Sequence, residues 1–195
     1  MTVEGGAPRE VAPRVRAGVA RIVLVGFMGA GKSTVGPILA RALDWDFVDL
    51  DDEVARREGS HPAEIIRRRG IERFRALESV AARELLRRER VVIAMGGGWA
   101  AQPGHMASLK PDSPSVWLRV DPVTALARIR GSSTPRPLLE GPDPHGAAVA
   151  LLRRRVGHYG RSVITIETDG RSPEEVAWEI LRHPSMTKSD REECQ

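Results

Sequence analysis

The segment GFMGAGKS, Gly26 to Ser33, has the residue types and the spacing that bind a nucleotide phosphate. It fits the pattern G-x-x-x-x-G-K-S/T, in which glycines let backbone N–H groups turn inward around phosphate oxygens. Lys32 adds a compact positive charge for the β- and γ-phosphates, and Ser33 offers a hydroxyl ligand to Mg²⁺. The alternative is a glycine turn followed by a chance Lys-Ser pair. The strand predicted before the segment and the helix predicted after it favour the phosphate site.

A cluster of carboxylates follows the next predicted strand. The segment FVDLDDE, residues 47–53, holds three aspartates and one glutamate after an apolar stretch. If this strand is parallel to the first, Asp49 and Asp51 emerge at the edge where open α/β sheets bind ligands. One carboxylate can then hold Mg²⁺ through water, and another can take a proton from an attacking hydroxyl. The alternative is a helix N-cap with an acidic first turn, a pattern that Asp52 and Glu53 fit.

Two further segments have groups suited to an anionic substrate. The strand predicted from VVIAM ends in three glycines, 96–98, which let backbone approach a ligand and offer N–H donors to an anion. A tight turn alone would need one or two glycines. Arg75 follows Phe74 on a predicted helix, and an arginine can hold a carboxylate through two parallel hydrogen bonds. Without a partner motif, Arg75 would be interpreted as a surface residue.

A Gly/Pro-rich segment at 131–146 has no predicted secondary structure and is of the type that forms lids. Arg136 lies in it between two prolines, on a stiff stretch of chain. From a closed lid, this arginine would stabilise the charge that develops on a phosphate in the transition state.

Strands and helices alternate along the chain around these segments. Apolar runs predict strands at 21–25, 46–50, 91–95, 115–120 and 163–168, whereas amphipathic stretches predict helices at 32–43, 51–59, 60–70, 71–89, 121–130, 147–160 and 172–182. This alternation predicts βαβ units and an α/β fold with a parallel sheet covered on both faces. We expect one domain at 20–183, a flexible leader at 1–19 and a flexible tail at 184–195.

Composition limits the class of protein. The chain has 195 residues, of which 41% are hydrophobic and 29% are charged, as in a soluble globular domain. Its net charge of +4 comes from arginines interleaved with acids, without the alternating aromatics of a nucleic-acid surface, so we expect no nucleic-acid partner. No apolar run approaches the ~20 residues of a membrane span, and the N-terminus does not resemble a signal peptide. We expect a cytoplasmic monomer, because the one cysteine, Cys194, cannot form an internal disulfide and no long apolar stripe is left over.

The ordered series GFMGAGKSTVG, DLD, FRALE, GGG, RPLL and RxxxY resembles the shikimate kinase family over about residues 20–183. The phosphate-binding segment alone is generic, whereas the whole series is far more specific. The resemblance implies a three-layer α/β/α P-loop kinase fold with a central five-stranded parallel sheet and a lid loop. It also implies an ATP-dependent phosphotransferase that uses Mg²⁺ and phosphorylates the 3-hydroxyl of shikimate, a step towards chorismate and the aromatic amino acids.

The resemblance further implies roles for single residues. Asp51 would hold the shikimate hydroxyls and act as the base, together with Lys32 and Arg136 as catalytic residues, and Ser33 and Asp49 would hold Mg²⁺. The remaining ATP contacts would come from Gly29, Ala30, Gly31, Thr34, Pro173 and either Arg128 or Arg130. Shikimate would be bound by Asp51, Phe74, Arg75, Gly96, Gly97, Gly98 and Arg155, with the arginines clamping its carboxylate.

Three positions depart from the family's usual pattern, and the sequence places them around the acceptor pocket: Ile66, Ile71 and Trp99. A related small-molecule kinase, such as a gluconate-type kinase, is the alternative enzyme, but it should not need both Arg75 and Arg155. A catalytically silent ATP-binding module is the non-enzymatic alternative. The joint presence of the catalytic residues named above argues against it.

Overall fold

The computed structural model describes residues 15–131, 137–139 and 141–187. Within this part of the chain the strands are β1 (Arg21–Gly26), β2 (Asp46–Asp49), β3 (Val91–Ala94), β4 (Ser115–Arg119) and β5 (Ile164–Glu167). The helices are α1 (Lys32–Leu43), α2 (Leu50–Glu58), α3 (Pro62–Arg69), α4 (Ile71–Leu85), α5 (Pro122–Arg130), α6 (Pro144–Tyr159) and α7 (Pro173–Arg182). Short 3-10 turns lie at Met106–Ser108 and Pro137–Leu139.

The strands form one parallel sheet in the order β2-β3-β1-β4-β5, so the predicted five-stranded parallel sheet is confirmed. β3 lies between β1 and β2, with Ala94 in register with Leu24 on one side and with Asp49 on the other. The segments that follow these three strands therefore leave the sheet at the same level of one edge.

Burial explains why these runs form strands. Every residue of β1 and of β3 is buried, as expected for central strands of a parallel sheet with helices on both faces. The helices turn one face to this core, as α4 does with Phe74, Ala81 and Leu85. The last helix, α7, begins with a capping box in which Ser172 and Glu175 each accept a hydrogen bond from the other's backbone N–H.

The acidic segment after β2 folds differently from the prediction. The strand ends at Asp49, and α2 begins at Leu50, so Asp51 lies in the first helical turn rather than beyond a strand at 46–50. The reason is a helix cap: the Asp49 carboxylate accepts a hydrogen bond from the Asp51 N–H at 3.0 Å. Asp49 is thus itself the N-cap that the alternative interpretation required.

Two other helix boundaries also differ from the prediction. The predicted helix at 71–89 ends at Leu85, and the helix predicted at 147–160 begins earlier, at Pro144, because Asp143 caps it through the Gly146 N–H. The expectation of a lid without secondary structure is wrong at 137–139, where a 3-10 turn forms and contacts α3 and α6. Arg136 lies outside the described residues.

The chain ends of the described part meet each other. Val15 pairs with Thr187 in an antiparallel bridge, and the Arg16 N–H donates to the Met186 carbonyl at 2.6 Å. These residues lie just outside the predicted domain limits of 20 and 183. Among the residues that the structure describes, no helix is long and apolar enough to cross a membrane.

Helix α1 approaches the sheet closely at Gly36. A Cβ atom at this position would overlap the ring of Phe47 on β2. Gly36 is buried, so the glycine is required here by the packing of α1 on the sheet rather than by the conformation of the helix.

We predict that Gly36→Ala lowers the free energy of unfolding by about 1–3 kcal/mol, because the added methyl group overpacks the contact with Phe47. Gly157→Ala in α6 is the matched control: a Cβ at Gly157 meets no atom within 4 Å. The control should be neutral or slightly stabilising, since alanine favours a helix over glycine. Urea unfolding of both variants measures the difference, and equal stabilities would show that α1 and β2 do not touch closely.

Candidate functional site

The phosphate-binding loop between β1 and α1 has the backbone that its glycines permit. Gly29 and Gly31 adopt φ angles of 76° and 92°, which favour glycine over other residues. A Cβ on Gly29 would also lie 2.7 Å from the Ala125 carbonyl oxygen. No side chain caps α1 at Gly31, so the helix presents its N-terminal N–H groups and positive dipole end to the loop.

Two side chains of this loop are held in defined positions. The Lys32 ammonium donates to the Gly26 and Phe27 carbonyl oxygens at 3.0 and 3.1 Å. The Ser33 hydroxyl donates to the Asp49 carboxylate, with 2.5 Å between the oxygens. This second bond joins the start of α1 to the end of β2, so two oxygen groups converge beside the phosphate-binding loop.

A cavity of about 600 Å³ opens beside the loop, within the usual size range of small-molecule sites. It brings together most of the predicted site residues, namely Gly29, Gly31, Lys32, Ser33, Thr34, Asp49, Asp51, Phe74, Arg75, Gly97, Gly98, Arg128 and Arg155. Residues that the sequence places far apart therefore surround one space.

Some predicted residues do not line this cavity. Ala30 is buried in the core at 1% exposure, and Gly96, Arg130 and Pro173 do not contribute to the described wall. Arg128 does line it, and its guanidinium donates to the Gly29 carbonyl at 3.2 Å and to the Thr168 carbonyl at 2.6 Å. Of the two arginines left open by the sequence, only Arg128 contacts the phosphate-binding loop among the described bonds.

The three glycines after β3 make room for charged side chains. A Cβ on Gly96 would clash with the Glu78 carboxylate and lie 2.7 Å from Asp51 Oδ1, and a Cβ on Gly98 would clash with the Arg75 guanidinium. At Gly97 the Cβ would lie 3.4 Å from an Arg155 nitrogen. The segment thus has a steric role that the predicted N–H donation to an anion did not include.

Glu78 is a site residue that the sequence analysis did not identify. Its side chain is 1% exposed and forms an ion pair with Arg75 one helical turn earlier. Burial raises the pKa of Glu78 to about 7, and Asp51 adds to the rise, while Arg75 and Arg155 oppose it. A signal was present in the sequence, because an acid four residues after Phe74 falls on the apolar face of α4.

The rest of the wall comes from residues for which the sequence indicated no binding role. They are Met28, Asp52, His61, Pro62, Ala63, Ile66, Met95 and Leu138. Burial raises the pKa of Asp52, helped by neighbouring Asp49 and opposed by His61. Only the fold could reveal His61, Pro62, Ala63 and Leu138, because the start of α3 and the 137–139 turn reach the cavity through tertiary packing.

The structure corrects the expectation that Ile71 and Trp99 surround the acceptor pocket. Trp99 is 2% exposed, packs its ring 4.8 Å from that of His105 and does not line the cavity. Ile71 packs against the core instead, and only Ile66 among the three reaches the cavity.

We predict that Glu78→Gln removes part of the pH dependence of stability. Because the pKa of Glu78 is raised to about 7 in the folded protein from its ordinary 4.5, the folded state binds the extra proton between these pH values. The free energy of unfolding of the wild type should therefore fall, relative to that of the variant, as the pH rises from 4.5 to 7. The slope of this fall with pH should correspond to at most about one bound proton. Urea unfolding at several pH values tests this, and a difference that stays constant across the window would contradict it.

Known proteins match most of this chain. The family model described as shikimate kinase matches residues 28–184. A shikimate kinase from Moorella thermoacetica is 45% identical over 159 residues, which cover 82% of this chain and 91% of the relative. A Thermus thermophilus shikimate kinase is 40% identical over 82% of this chain and 87% of its own length.

Solved structures agree. A shikimate kinase from Acinetobacter baumannii in complex with shikimate superposes with a TM-score of 0.77 at 35% identity, covering 84% of this chain and 91% of that one. A gluconokinase from Sinorhizobium meliloti shares only the fold, with a TM-score of 0.53 at 20% identity. The P-loop kinase fold, the family model and the relatives agree, and the chain belongs to the shikimate kinase family.

Proposed function

We propose that this protein transfers the γ-phosphate of ATP to the 3-hydroxyl of shikimate, giving shikimate 3-phosphate and ADP. The observation that carries the proposal is that one cavity joins a phosphate-binding loop to two arginines, Arg75 and Arg155, with Asp51 on the same wall. A nucleotide and an acceptor with a carboxylate and hydroxyl groups need these two kinds of recognition in one place.

The arginines are suited to the acceptor carboxylate. Arg75 is held by its ion pair with Glu78, and its guanidinium also lies 5.5 Å from the centre of the Phe74 ring. Arg155 is 6% exposed, and a cation buried this far gains strongly from a carboxylate partner. Two guanidinium groups with fixed orientations would orient the acid, and Asp51 and the backbone at Gly97 would receive the ring hydroxyls.

The phosphate end is suited to MgATP. Mg²⁺ prefers oxygen ligands and is usually held by one or two protein groups together with substrate phosphates. The hydrogen-bonded Ser33 hydroxyl and Asp49 carboxylate provide such a pair, so we propose that they hold the ion. When bound, Mg²⁺ offsets the negative charge of the phosphates. Lys32 and the N–H groups from Gly29 to Thr34 would contact the same phosphates.

Asp51 is the proposed base of the transfer. The acceptor hydroxyl oxygen attacks the γ-phosphorus, the bond from that phosphorus to the ADP oxygen breaks, and the hydroxyl proton passes to the Asp51 carboxylate. The cap at Asp49 supports this role, because it fixes the backbone of Asp51 at the start of α2.

The remaining contacts complete the proposal. Arg128 rather than Arg130 would face the adenine, because Arg128 bonds to Thr168 just before the loop that leads to Pro173. Arg136, in the lid at 131–146, would close on the phosphates and help to exclude water. We also propose an active monomer, since residues of one chain supply both ends of the cavity.

Turnover tests the proposal directly. ADP release from MgATP should require shikimate, and gluconate or no acceptor should give only background rates. In Asp51→Asn the rate should fall by about 10²–10³ or more, because the variant loses the charge that takes the proton. ATP binding, measured by titration calorimetry, should be unchanged. If the wild type binds ATP without shikimate-dependent turnover, the silent-module alternative holds, and turnover with gluconate would favour the alternative kinase.

Gly98→Ala tests the arginine clamp without changing a charge. The added Cβ displaces the Arg75 guanidinium, so the KM for shikimate should rise by about tenfold to a hundredfold while the KM for ATP stays constant. Gly157→Ala again serves as the control and should match the wild type. A folded Gly98→Ala variant with an unchanged KM for shikimate would exclude Arg75 from the acceptor site.

A further inference from the structure

Tyr159, the one tyrosine of the chain, is fully buried beside the acceptor end of the cavity. It is the last residue of α6, the helix that also carries Arg155 one turn earlier. Its ring lies 5.9 Å from that of Trp117 on β4. The side chain thus reaches from the end of α6 into the space between the sheet and the glycine segment, although it does not itself line the cavity.

The hydroxyl of Tyr159 bonds to the backbone of the acceptor site. It donates to the Gly97 carbonyl oxygen, with 2.5 Å between the oxygens, across 62 residues of sequence. Burial raises the pKa of Tyr159, so the hydroxyl keeps its proton at neutral pH and remains a donor.

The same hydroxyl also interacts with Arg155. Burial lowers the pKa of Arg155, and its interaction with the neighbouring Tyr159 opposes that effect. Tyr159 thus bonds to Gly97 and lies beside Arg155.

Arg155 and Gly97 lie against each other at this point. An Arg155 nitrogen is 3.4 Å from the position that a Gly97 Cβ would take. The two groups come from separate parts of the chain, the loop after β3 and the helix after the lid segment. Contact alone leaves their relative position adjustable, whereas the hydrogen bond from Tyr159 holds the Gly97 side of the contact in place.

We propose that Tyr159 is a positioning residue of the acceptor site, whose hydroxyl fixes the Gly97 carbonyl and thereby the backbone against which the Arg155 guanidinium lies. The inference rests on the proposed function and deepens it. Tyr159 acts through Gly97 and does not line the cavity. Its hydroxyl is therefore expected to matter more for acceptor binding than for nucleotide binding.

Tyr159→Phe is the decisive variant, because it keeps the ring and its packing on Trp117 and removes only the hydroxyl. Leaving the buried Gly97 carbonyl without its donor should shift the backbone beside Arg155 and raise the KM for shikimate about tenfold. The KM for ATP should change by less than that for shikimate, because the Tyr159 hydroxyl bonds to Gly97 and reaches the phosphate-binding loop only through it. Titration of shikimate into the variant should show the same loss of affinity.

Trp117→Phe is the matched control, because it disturbs the packing of the same ring without touching the hydroxyl bond. We expect it to lower the melting temperature while leaving the KM for shikimate unchanged. If both variants change only stability, the role of Tyr159 is structural and the inference is overturned.

A double-mutant cycle adds a second criterion. Arg155→Lys alone should weaken shikimate binding, and Tyr159→Phe should add less in that background than in the wild type, because both changes break one network. Additive effects would overturn the inference. The wild-type assay separates the two proposals: absence of shikimate-dependent turnover overturns the proposed function, whereas turnover with an unaffected Tyr159→Phe variant overturns only the positioning role.

Discussion

The in-register alignment of β1, β2 and β3 is the constraint on which the whole site depends. Because Leu24, Ala94 and Asp49 lie side by side across the sheet, the three segments that follow these strands start at one level. The segment after β1 contributes phosphate-binding backbone, and the one after β2 contributes carboxylates. The glycine segment after β3 contributes space for side chains. A shift of one residue in β2 would turn its side chains to the opposite face and would separate Asp49 from Ser33.

The proposed acceptor end of the cavity is built from buried charged groups, whose removal from water costs free energy. Glu78 and Arg155 are almost inaccessible to solvent, and the side chains of Glu78, Arg155 and Arg75 each approach one glycine of the segment after β3. Such groups are stabilised by one another rather than by water, so the energy of each depends on the position of the others. The acceptor carboxylate that we propose would complete this arrangement, since it would supply negative charge where two guanidinium groups lie close to a single buried carboxyl.

Local patterns in the sequence predicted the sheet, the phosphate-binding loop and the acid that follows β2, because each depends on neighbours in the chain. The role of Glu78 required knowing that α4 turns this acid towards Asp51 and Gly96, which only tertiary packing decides. The sequence could predict that only one of Arg128 and Arg130 faces the site, because residues two apart on a helix point in different directions. It could not predict which one. Trp99 was misplaced because its contact with His105 depends on the fold of the loop after β3.

The glycine segment has a consequence for how this pocket can vary. A charged residue can be exchanged for another of similar length, and its neighbours can adjust through rotamers. At Gly96 and Gly98 any side chain occupies the volume of the Glu78 carboxylate or of the Arg75 guanidinium, so that charged group must move. A substitution at a position with no chemistry of its own therefore redistributes the charge of the pocket, and a change of acceptor can begin at a glycine as well as at a charged residue.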